Sequence, residues 1–256
     1  MENSLIIFAA FFGAIVGSFL NALIYRLPRN INIAFPRSSC PECKKIINWY
    51  ENIPIISWIF LRAKCSGCKT KISWEYPAVE LICSVFAAVI APKDFEVGNL
   101  LNFFFFFGIF SAFLVHFIVD IKHQILPDSI NIYLGALFFL VSFMTTPWTH
   151  WLIGGALGLG FPLLVSWIFY LLRGQIGLGG GDIKLYAVLG LYLGPVGVMQ
   201  NIFLSCFLGA VIGIVLISAK VIKKENPIPF GPFILTISAF QIFLESWFKH
   251  LIAYIP

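Results

Sequence analysis

Long apolar runs separated by short polar stretches dominate the chain. A helix needs about 20 apolar residues to cross the hydrocarbon core of a bilayer, and a backbone in lipid must satisfy its hydrogen bonds within the segment. The pattern therefore predicts an all-α polytopic membrane protein with about eight transmembrane helices. The predicted spans lie near residues 5–25, 77–92, 99–119, 129–147, 150–172, 184–200, 201–219 and 229–247.

Two features of the spans affect their count. The first span, Leu5 to Tyr25, has no basic residue before it and no small-residue cleavage site after it. We therefore expect a retained helix and not a signal peptide. Gly194-Pro195 and Gly197 interrupt the sixth span, so this span can merge with its neighbour or re-enter the membrane.

Composition supports a membrane location. Of the 256 residues, 59% are hydrophobic and 11% are charged, and the mean hydropathy is +0.91. Soluble domains carry roughly 25% charged residues. The net charge of +5 reflects basic loops, so we expect a lipid bilayer and no nucleic acid as a partner.

The basic residues predict an orientation. Residues 26–71 contain nine Lys/Arg and two Glu, which places this segment in the cytoplasm by the positive-inside rule. Counting spans forward puts residues 93–98 outside and both termini outside. Asp120 and Asp182 then fall on the same cytoplasmic face. Further basic residues fall on that face as well: Lys122, Arg173, Lys184, Lys220, Lys223 and Lys224.

The one long hydrophilic stretch, residues 27–76, contains two C-x2-C pairs: Cys40, Cys43, Cys65 and Cys68. Four thiolates in two knuckles are typical of a structural zinc site. Thiols on a cytoplasmic loop stay reduced, so two disulfides are disfavoured. Redox-active thiols remain the alternative. No fifth ligand stands out, which argues against a catalytic zinc with an open position.

Other residues in or near this module have two interpretations. Four aromatic residues lie in or beside the module: Trp49, Tyr50, Trp58 and Trp74. They form either an interfacial belt or a stacking surface for an adenine-bearing cofactor. The remaining thiols, Cys83 and Cys206, lie within spans and are expected to be packing residues.

Two aspartates stand at the edges of apolar spans, and each begins the tripeptide Asp-Ile-Lys. Asp120 ends the run from Phe103 to Val119, and Asp182 follows three glycines. An ionisable residue in such a position suggests a functional site. Two facing carboxylates can share a proton and activate water. The glycine run lacks the endings of phosphate-binding and dinucleotide-binding loops, so close approach to the carboxylate is its expected role.

Neighbouring polar residues have simpler explanations. Asp128 follows Pro127 and is expected to cap the next helix. Lys122 and Lys184 are expected to anchor the helices at the membrane interface. His116 lies one helical turn before Asp120, where it either contacts the aspartate or packs in the core.

Taken together, these motifs resemble the type IV prepilin peptidases, intramembrane aspartic proteases of the GxGD type. The resemblance spans nearly the whole chain. Besides the Cys knuckles, it rests on Gly179-Gly180-Gly181-Asp182 with Lys184 and Leu185, Asp120 with Leu126-Pro127-Asp128, Gly17-Ser18-Phe19-Leu20-Asn21, Ile24-Tyr25-Arg26-Leu27-Pro28 and Pro229-Phe230-Gly231-Pro232.

The resemblance implies a bifunctional leader peptidase and N-methyltransferase of the bacterial inner membrane. Its substrates would be prepilins and pseudopilins that carry a basic leader and an apolar N-terminal helix. Cleavage after a glycine would be followed by methylation of the new N-terminal residue, usually phenylalanine, with S-adenosylmethionine as donor.

By position, Asp120 and Asp182 would be the catalytic pair, supported by Gly179, Gly181 and Lys184. The four cysteines would hold Zn²⁺. The implied domains are a first helix (1–26), a zinc module associated with methyl transfer (27–76) and a transmembrane peptidase domain (77–256). Family members that lack the module are peptidases only. No residue for binding S-adenosylmethionine can be assigned.

One position departs from the family pattern: many relatives carry an acidic residue where this chain has Ile176. Two other functions also fit parts of the sequence. A proton-coupled transporter would place acidic residues near the membrane midplane, whereas these lie near one face. A zinc-ribbon scaffold of a pilus or secretion assembly would not need Asp120 and Asp182.

Overall fold

The computed structural model describes residues 2–35, 37–175, 177–221, 228–246 and 248. Ile176, Lys223 and Lys224 lie outside the described residues. The chain divides into two compact units, residues 1–111 and 112–256. The described part is helical and contains only two isolated β-bridges. Its α-helices are α1 (Glu2–Arg26), α2 (Ile56–Phe60), α3 (Glu75–Val89), α4 (Val97–His123), α5 (Asp128–Thr145), α6 (Trp148–Arg173), α7 (Gly180–Ser218) and α8 (Gly231–Phe243).

The all-α membrane architecture is confirmed, but the number of long helices differs from the predicted number of spans. Within the described residues, five helices are long and apolar enough to cross a membrane: α1, α4, α5, α6 and α7. The predicted second and last spans correspond to the shorter helices α3, of 15 residues, and α8, of 13 residues. The predicted sixth and seventh spans are joined within α7, which has 39 residues.

Helix α7 nevertheless folds back on itself. Gly194 has φ 70° and ψ −176°, which are not helical values, and Pro195 follows it. The Tyr186 hydroxyl lies 2.6 Å from Ser205 Oγ, although 19 residues of straight helix would separate them by about 28 Å. Two antiparallel halves therefore meet at Gly194. The break falls six residues before the predicted boundary, because glycine accepts the positive φ and proline cannot continue the first half's hydrogen bonds.

In the first unit, α1 and α3 pack as antiparallel helices. A Cβ at Gly13 or Gly17 would collide with the backbone of α3 at Cys83 or Glu80, respectively. The first half of α4 adds an aromatic contact, since the Phe86 and Phe110 rings stack with their centroids 3.8 Å apart. The hydrophilic residues between α1 and α3 form the four-cysteine module described below.

In the second unit, α8 packs against the second half of α7 through buried amides. Asn201 Nδ2 donates to Ser238 Oγ at 2.9 Å and to Gln241 Oε1 at 2.7 Å. Gln241 Nε2 in turn donates to the Gly197 carbonyl at 2.9 Å. These bonds satisfy polar groups that would be costly to leave unpaired among apolar side chains. They also fix the position of α8, whose start contributes to the candidate active site.

Candidate active site and metal centre

The four cysteines lie on two knuckles with the same backbone structure. In the first knuckle, the Lys44 amide donates to the Cys40 carbonyl, and in the second, the Lys69 amide donates to the Cys65 carbonyl, both at 3.0 Å. Lys44 and Lys69 both have positive φ. Each knuckle is closed by one of the two β-bridges, Ser39 with Ile46 and Lys64 with Lys71. The module is therefore an internal repeat of a single cysteine-bearing turn.

The sulfur atoms of the two knuckles converge. All four lie within 4.8 Å of one another. Cys40 Sγ lies 3.8 Å from Cys68 Sγ, and Cys43 Sγ lies 3.9 Å from Cys65 Sγ. A tetrahedron with metal–sulfur bonds of about 2.3 Å has edges of about 3.8 Å. The cluster can therefore hold a metal ion without rearrangement.

Hydrogen bonds favour thiolates at Cys65 and Cys68, whereas burial and bonds to the other thiols raise the pKa of Cys43 to about 11. The Thr70 hydroxyl and backbone amide lower the pKa of the Cys68 thiol to about 6. Lys45 Nζ donates to Glu51 Oε1 at 3.1 Å and to Ser66 Oγ at 2.6 Å. The Ser66 hydroxyl, the Asn48 amide and Lys45 lower the pKa of Glu51 to about 2. Lys45 thus links the first knuckle to the second.

The aromatic residues of the module differ in their surroundings. Trp49, Tyr50 and Trp74 are exposed, as either an interfacial belt or a stacking surface would require. Trp58 is half-buried and donates from Nε1 to the Ile72 carbonyl at 3.3 Å. Trp58 is therefore part of the packing of the module.

In the second unit, the two candidate aspartates lie at helix ends that meet. Asp120 is in the last turn of α4 and Asp182 in the first turn of α7. Asp120 is buried, and Asp182 is half-buried. Their carboxylates are close enough to interact electrostatically. Helix N-termini favour nearby negative charge, and those of both α7 and α8 face this site.

The contact between Asp120 and Gly231 was not anticipated from the sequence. The Gly231 amide, at the start of α8, donates to Asp120 Oδ2 at 2.9 Å. A Cβ at Gly231 would lie 2.7 Å from that oxygen, so only glycine permits this approach. Pro232 follows in the first turn, where its missing N–H is not needed. The glycine–proline pair therefore presents a free amide to the carboxylate.

The glycines before Asp182 have different surroundings. A Cβ at Gly179 would lie 2.9 Å from Asp182 Oδ2, and one at Gly181 would lie 3.0 Å from Leu126 Cβ. A Cβ at Gly180 would have no atom within 4 Å. The Gly179 amide also hydrogen-bonds the Asp182 carboxylate. Gly179 and Gly181 therefore shape the site, whereas Gly180 tolerates a side chain.

The expected capping role of Asp128 is wrong. Pro127 occupies the N-cap of α5, and no side chain caps the helix. Asp128 instead pairs with Lys184, whose Nζ lies 2.8 Å and 2.9 Å from the two carboxylate oxygens. Both side chains are exposed, so the pair joins the start of α5 to that of α7 at the edge of the site. Lys184, expected to be an interface anchor, makes a specific ion pair.

The structure shows the surroundings of one histidine and two cysteines outside the candidate sites. His116 is fully buried, and its Nε2 lies 3.1 Å from Asn131 Oδ1; it packs in the core. Cys83 is fully buried against α1, as expected of a packing residue. Cys206 is exposed, so the expectation that it packs is wrong, because it lies on the outer face of α7.

The fold and these two sites define a multi-pass membrane protein with a four-cysteine module that can hold a metal ion and a separate pair of facing carboxylates. Two family patterns match the chain: the bacterial peptidase A24 N-terminal domain over residues 11–93 and the type IV leader peptidase family over residues 105–214. The chain belongs to this peptidase family. No solved structure matches it.

Curated relatives extend over most of the chain. A protein of Neisseria gonorrhoeae is 35% identical over 93% of this chain and 90% of its own length. Another, of Stutzerimonas stutzeri, is 34% identical over 87% of this chain and 84% of its own length. A third, of Bacillus subtilis, is 34% identical over 86% of this chain and 87% of its own length. Each is named prepilin leader peptidase/N-methyltransferase. This likeness supports peptidase and methyltransferase activities.

Proposed function

We propose that the protein removes the basic leader from type IV prepilins and pseudopilins after a glycine, and then methylates the new N-terminal residue. The observation that carries the proposal is the meeting of Asp120 and Asp182 at adjoining helix ends within one unit. The names of the curated relatives supply the substrate class and the second activity.

In the proposed cleavage step, Asp120 and Asp182 share one proton. The ionised carboxylate takes a proton from water, and the neutral one hydrogen-bonds the scissile carbonyl. The titration then belongs to the pair and not to either residue. The Gly231 amide holds one Asp120 oxygen in place, which leaves the other free to face the water. A substrate with its apolar helix in the bilayer would bring its cleavage bond to this boundary.

The proposed cofactors belong to the second activity. The ion in the four-cysteine cluster is Zn²⁺, held by Cys40, Cys43, Cys65 and Cys68, because four converging thiolates suit this metal. S-adenosylmethionine supplies the methyl group. We also propose a first helix (1–26) and a zinc module (27–76) as separate parts of the chain. The predicted peptidase domain (77–256) begins with α3, which packs against α1 in the first unit.

One assay tests both activities. Purified enzyme is incubated with a prepilin and isotopically labelled S-adenosylmethionine, and the N-terminus of the product is read by mass spectrometry. We expect a product that begins directly after the leader glycine and carries one labelled methyl group. An intact leader after incubation with folded enzyme would contradict the proposed cleavage, and an unlabelled new N-terminus would contradict the proposed methyl transfer.

The proposed location is the inner membrane, with residues 26–71 in the cytoplasm. A reporter fused after Lys45 should then report from the cytoplasm and one inserted near Asp94 from the periplasm, because Lys/Arg bias sets topology. Activity of paired cytoplasmic and periplasmic reporters at each site is the measurement. A periplasmic signal at Lys45 would contradict the orientation, and with it the cytoplasmic placement of the aspartates.

Gly231 offers a separate test of the site. Gly231→Ala should lower the cleavage rate by about 100-fold, because the new methyl group displaces the Asp120 carboxylate by a fraction of an ångström or more. Gly180→Ala is the matched control, since its Cβ meets no atom within 4 Å. Rates are compared at equal amounts of folded enzyme. Equal cleavage by the two variants would show that the close contact between Gly231 and the Asp120 carboxylate is not needed for cleavage.

A further inference from the structure

A second buried carboxylate, in the first unit, has no role in the chemistry described above. Glu80 lies in the second turn of α3 and is 8% exposed. Its Oε2 accepts a hydrogen bond from the Ile55 amide at 2.7 Å, and its carboxylate is also hydrogen-bonded to the Ser18 side chain. Three segments that are distant in sequence therefore meet at this group.

Within the part of the chain that the structure describes, the charge of Glu80 has no cationic partner. A buried carboxylate without a cation is costly, and the two hydrogen bonds that it makes could equally be made by a glutamine amide oxygen. The structure thus explains the shape and hydrogen bonding at position 80 but not the negative charge.

The backbone beside Glu80 is strained. Ile55 has φ 63° and ψ −50°, a positive-φ conformation that a β-branched residue adopts only under constraint. Such strain concentrates at ligand-binding and catalytic sites. The Glu80 hydrogen bond holds the strained amide in place, so the carboxylate and the turn form a built site.

We propose that Glu80 binds the α-ammonium group of the cleaved pilin and removes its proton before methyl transfer. This inference rests on the proposed methyltransferase function and deepens it. An ammonium group supplies both the missing positive charge and hydrogen-bond donors for the free lone pairs of the carboxylate. The sulfonium of the methyl donor is also a cation, but it has no N–H to donate and no proton that must leave.

The step is balanced in atoms and charge. One N–H proton of the ammonium group moves to the Glu80 carboxylate and leaves a neutral amine. The amine lone pair forms the new C–N bond as the C–S bond of the sulfonium donor breaks, and the electron pair of that bond stays on sulfur. The α-amino group has a pKa of about 7.7–8.0, so at neutral pH it is mostly protonated and needs such a base.

The position of Glu80 suits this substrate. Helix α3 begins at Glu75, directly after the hydrophilic module, and Glu80 lies about 7–8 Å along the helix from its start. A cleaved pilin whose apolar helix begins at its first residue would carry its amine at the edge of the bilayer. In the proposal, such an amine meets the Glu80 carboxylate near the start of α3, beside the hydrophilic module.

The test compares Glu80→Gln with Glu80→Ala in the purified full-length enzyme, with Glu75→Gln on the same helix as a matched control. The substrate is a pre-cleaved pilin peptide with a free N-terminal phenylalanine. Glu80→Gln keeps the size and the acceptor for the Ile55 amide but cannot take a proton. We expect its methyl transfer to fall by about 100-fold, while leader cleavage, bound metal and the activity of the control stay unchanged.

Binding supplies a readout that is independent of turnover. Wild-type enzyme should bind the free-amine peptide more tightly than the same peptide with an acetylated N-terminus, and Glu80→Gln should lose that preference. The affinity for S-adenosylmethionine relative to its thioether product, which lacks the sulfonium charge, should be the same in both enzymes. A change in that ratio alone would show that Glu80 recognises the sulfonium and would overturn the proposal.

Other outcomes also overturn it. Wild-type methyl transfer by Glu80→Gln, with loss only in Glu80→Ala, would make Glu80 a support for the Ile55 turn and nothing more. Loss of metal and cleavage together with methyl transfer in Glu80→Gln would lead to the same conclusion. If wild-type enzyme cannot methylate the pre-cleaved peptide, the proposed methyltransferase function fails first, and this inference fails with it.

Discussion

Replacing either Asp120 or Asp182 by asparagine is expected to abolish leader cleavage and to leave a folded, membrane-inserted protein. Asparagine keeps the size of aspartate and some of its hydrogen bonding, including an oxygen that can accept from the Gly231 amide. It cannot ionise or share a proton. Proton transfer by a positioned side chain contributes about 10²–10⁴-fold to a rate, and in the proposed mechanism a single pair performs every such transfer.

The double variant provides a sharper test of the shared proton. Residues that act as one unit have strongly non-additive effects, so Asp120→Asn with Asp182→Asn should be no slower than either single variant. Cleavage of a prepilin, followed by gel shift or mass spectrometry at equal amounts of folded enzyme, is the measurement. Substantial cleavage by either single variant would exclude the aspartic mechanism.

Asp128→Asn is the matched control for the pair. Asp128 lies at the same corner of the second unit, but it is exposed and binds Lys184. Exposed ion pairs contribute about 0–1 kcal/mol, so this variant should keep appreciable cleavage activity. A loss as complete as that of the Asp120 and Asp182 variants would mean that the Asp128–Lys184 pair positions α7 for catalysis.

Methyl transfer separates the two proposed activities. This reaction needs no water-activating acid pair, so both asparagine variants should still methylate a pre-cleaved peptide. Cleavage and methylation rates, measured on the same preparations, show whether the two activities are independent. Loss of both activities in a well-folded variant would show that the two sites are coupled.

The spacing of polar and apolar residues predicts the helical architecture, but it does not locate the turn in α7. Residues 184–219 are almost uniformly apolar, so hydropathy gives no boundary within them. Gly194-Pro195 interrupts this run, and the positive φ of Gly194 makes it the turning point. The contact between Tyr186 and Ser205 shows that the chain reverses there.

The candidate active site was only partly predictable, because its contacts are distant in sequence. Asp120 and Asp182 stand out as charges at the edges of apolar spans. The amide that binds Asp120 comes from Gly231, 111 residues away, and no local pattern reveals such a pairing. The Asp128–Lys184 ion pair spans 56 residues. Local reasoning therefore assigns Asp128 to a cap, a position that Pro127 occupies.

The four-cysteine module could be predicted best from the sequence, because its candidate ligands lie in two short motifs. The two C-x2-C pairs predict four converging ligands, and the structure brings their sulfur atoms together. The sequence pattern does not reveal the repeat of the knuckle backbone or the link from Lys45 to Ser66. It does not reveal Glu80 either, since that residue falls within a predicted apolar span.

Removing one thiolate from the four-cysteine cluster is expected to release the metal and unfold the module. Wild-type protein should contain about one zinc per chain, and Cys43→Ser or Cys68→Ser should contain much less, since a closed tetrahedral site depends on all four ligands. Structural zinc contributes roughly 10–16 kcal/mol to the folding of small zinc domains. In the described residues between 27 and 74, the structure shows only two isolated bridges and short helical segments, so the metal would supply most of their stability.

Cys206→Ser is the matched control, because Cys206 is an exposed thiol outside the cluster. Zinc content is measured by elemental analysis, and the order of the module by limited proteolysis in residues 27–76. The Cys43 and Cys68 variants should be cut there and should lose methyl transfer. Cleavage should decline less, because Asp120 and Asp182 belong to the other unit. A metal-free preparation with an ordered module and full activity would contradict the zinc assignment, whereas equal loss of cleavage and methylation would show that the peptidase site also depends on the module.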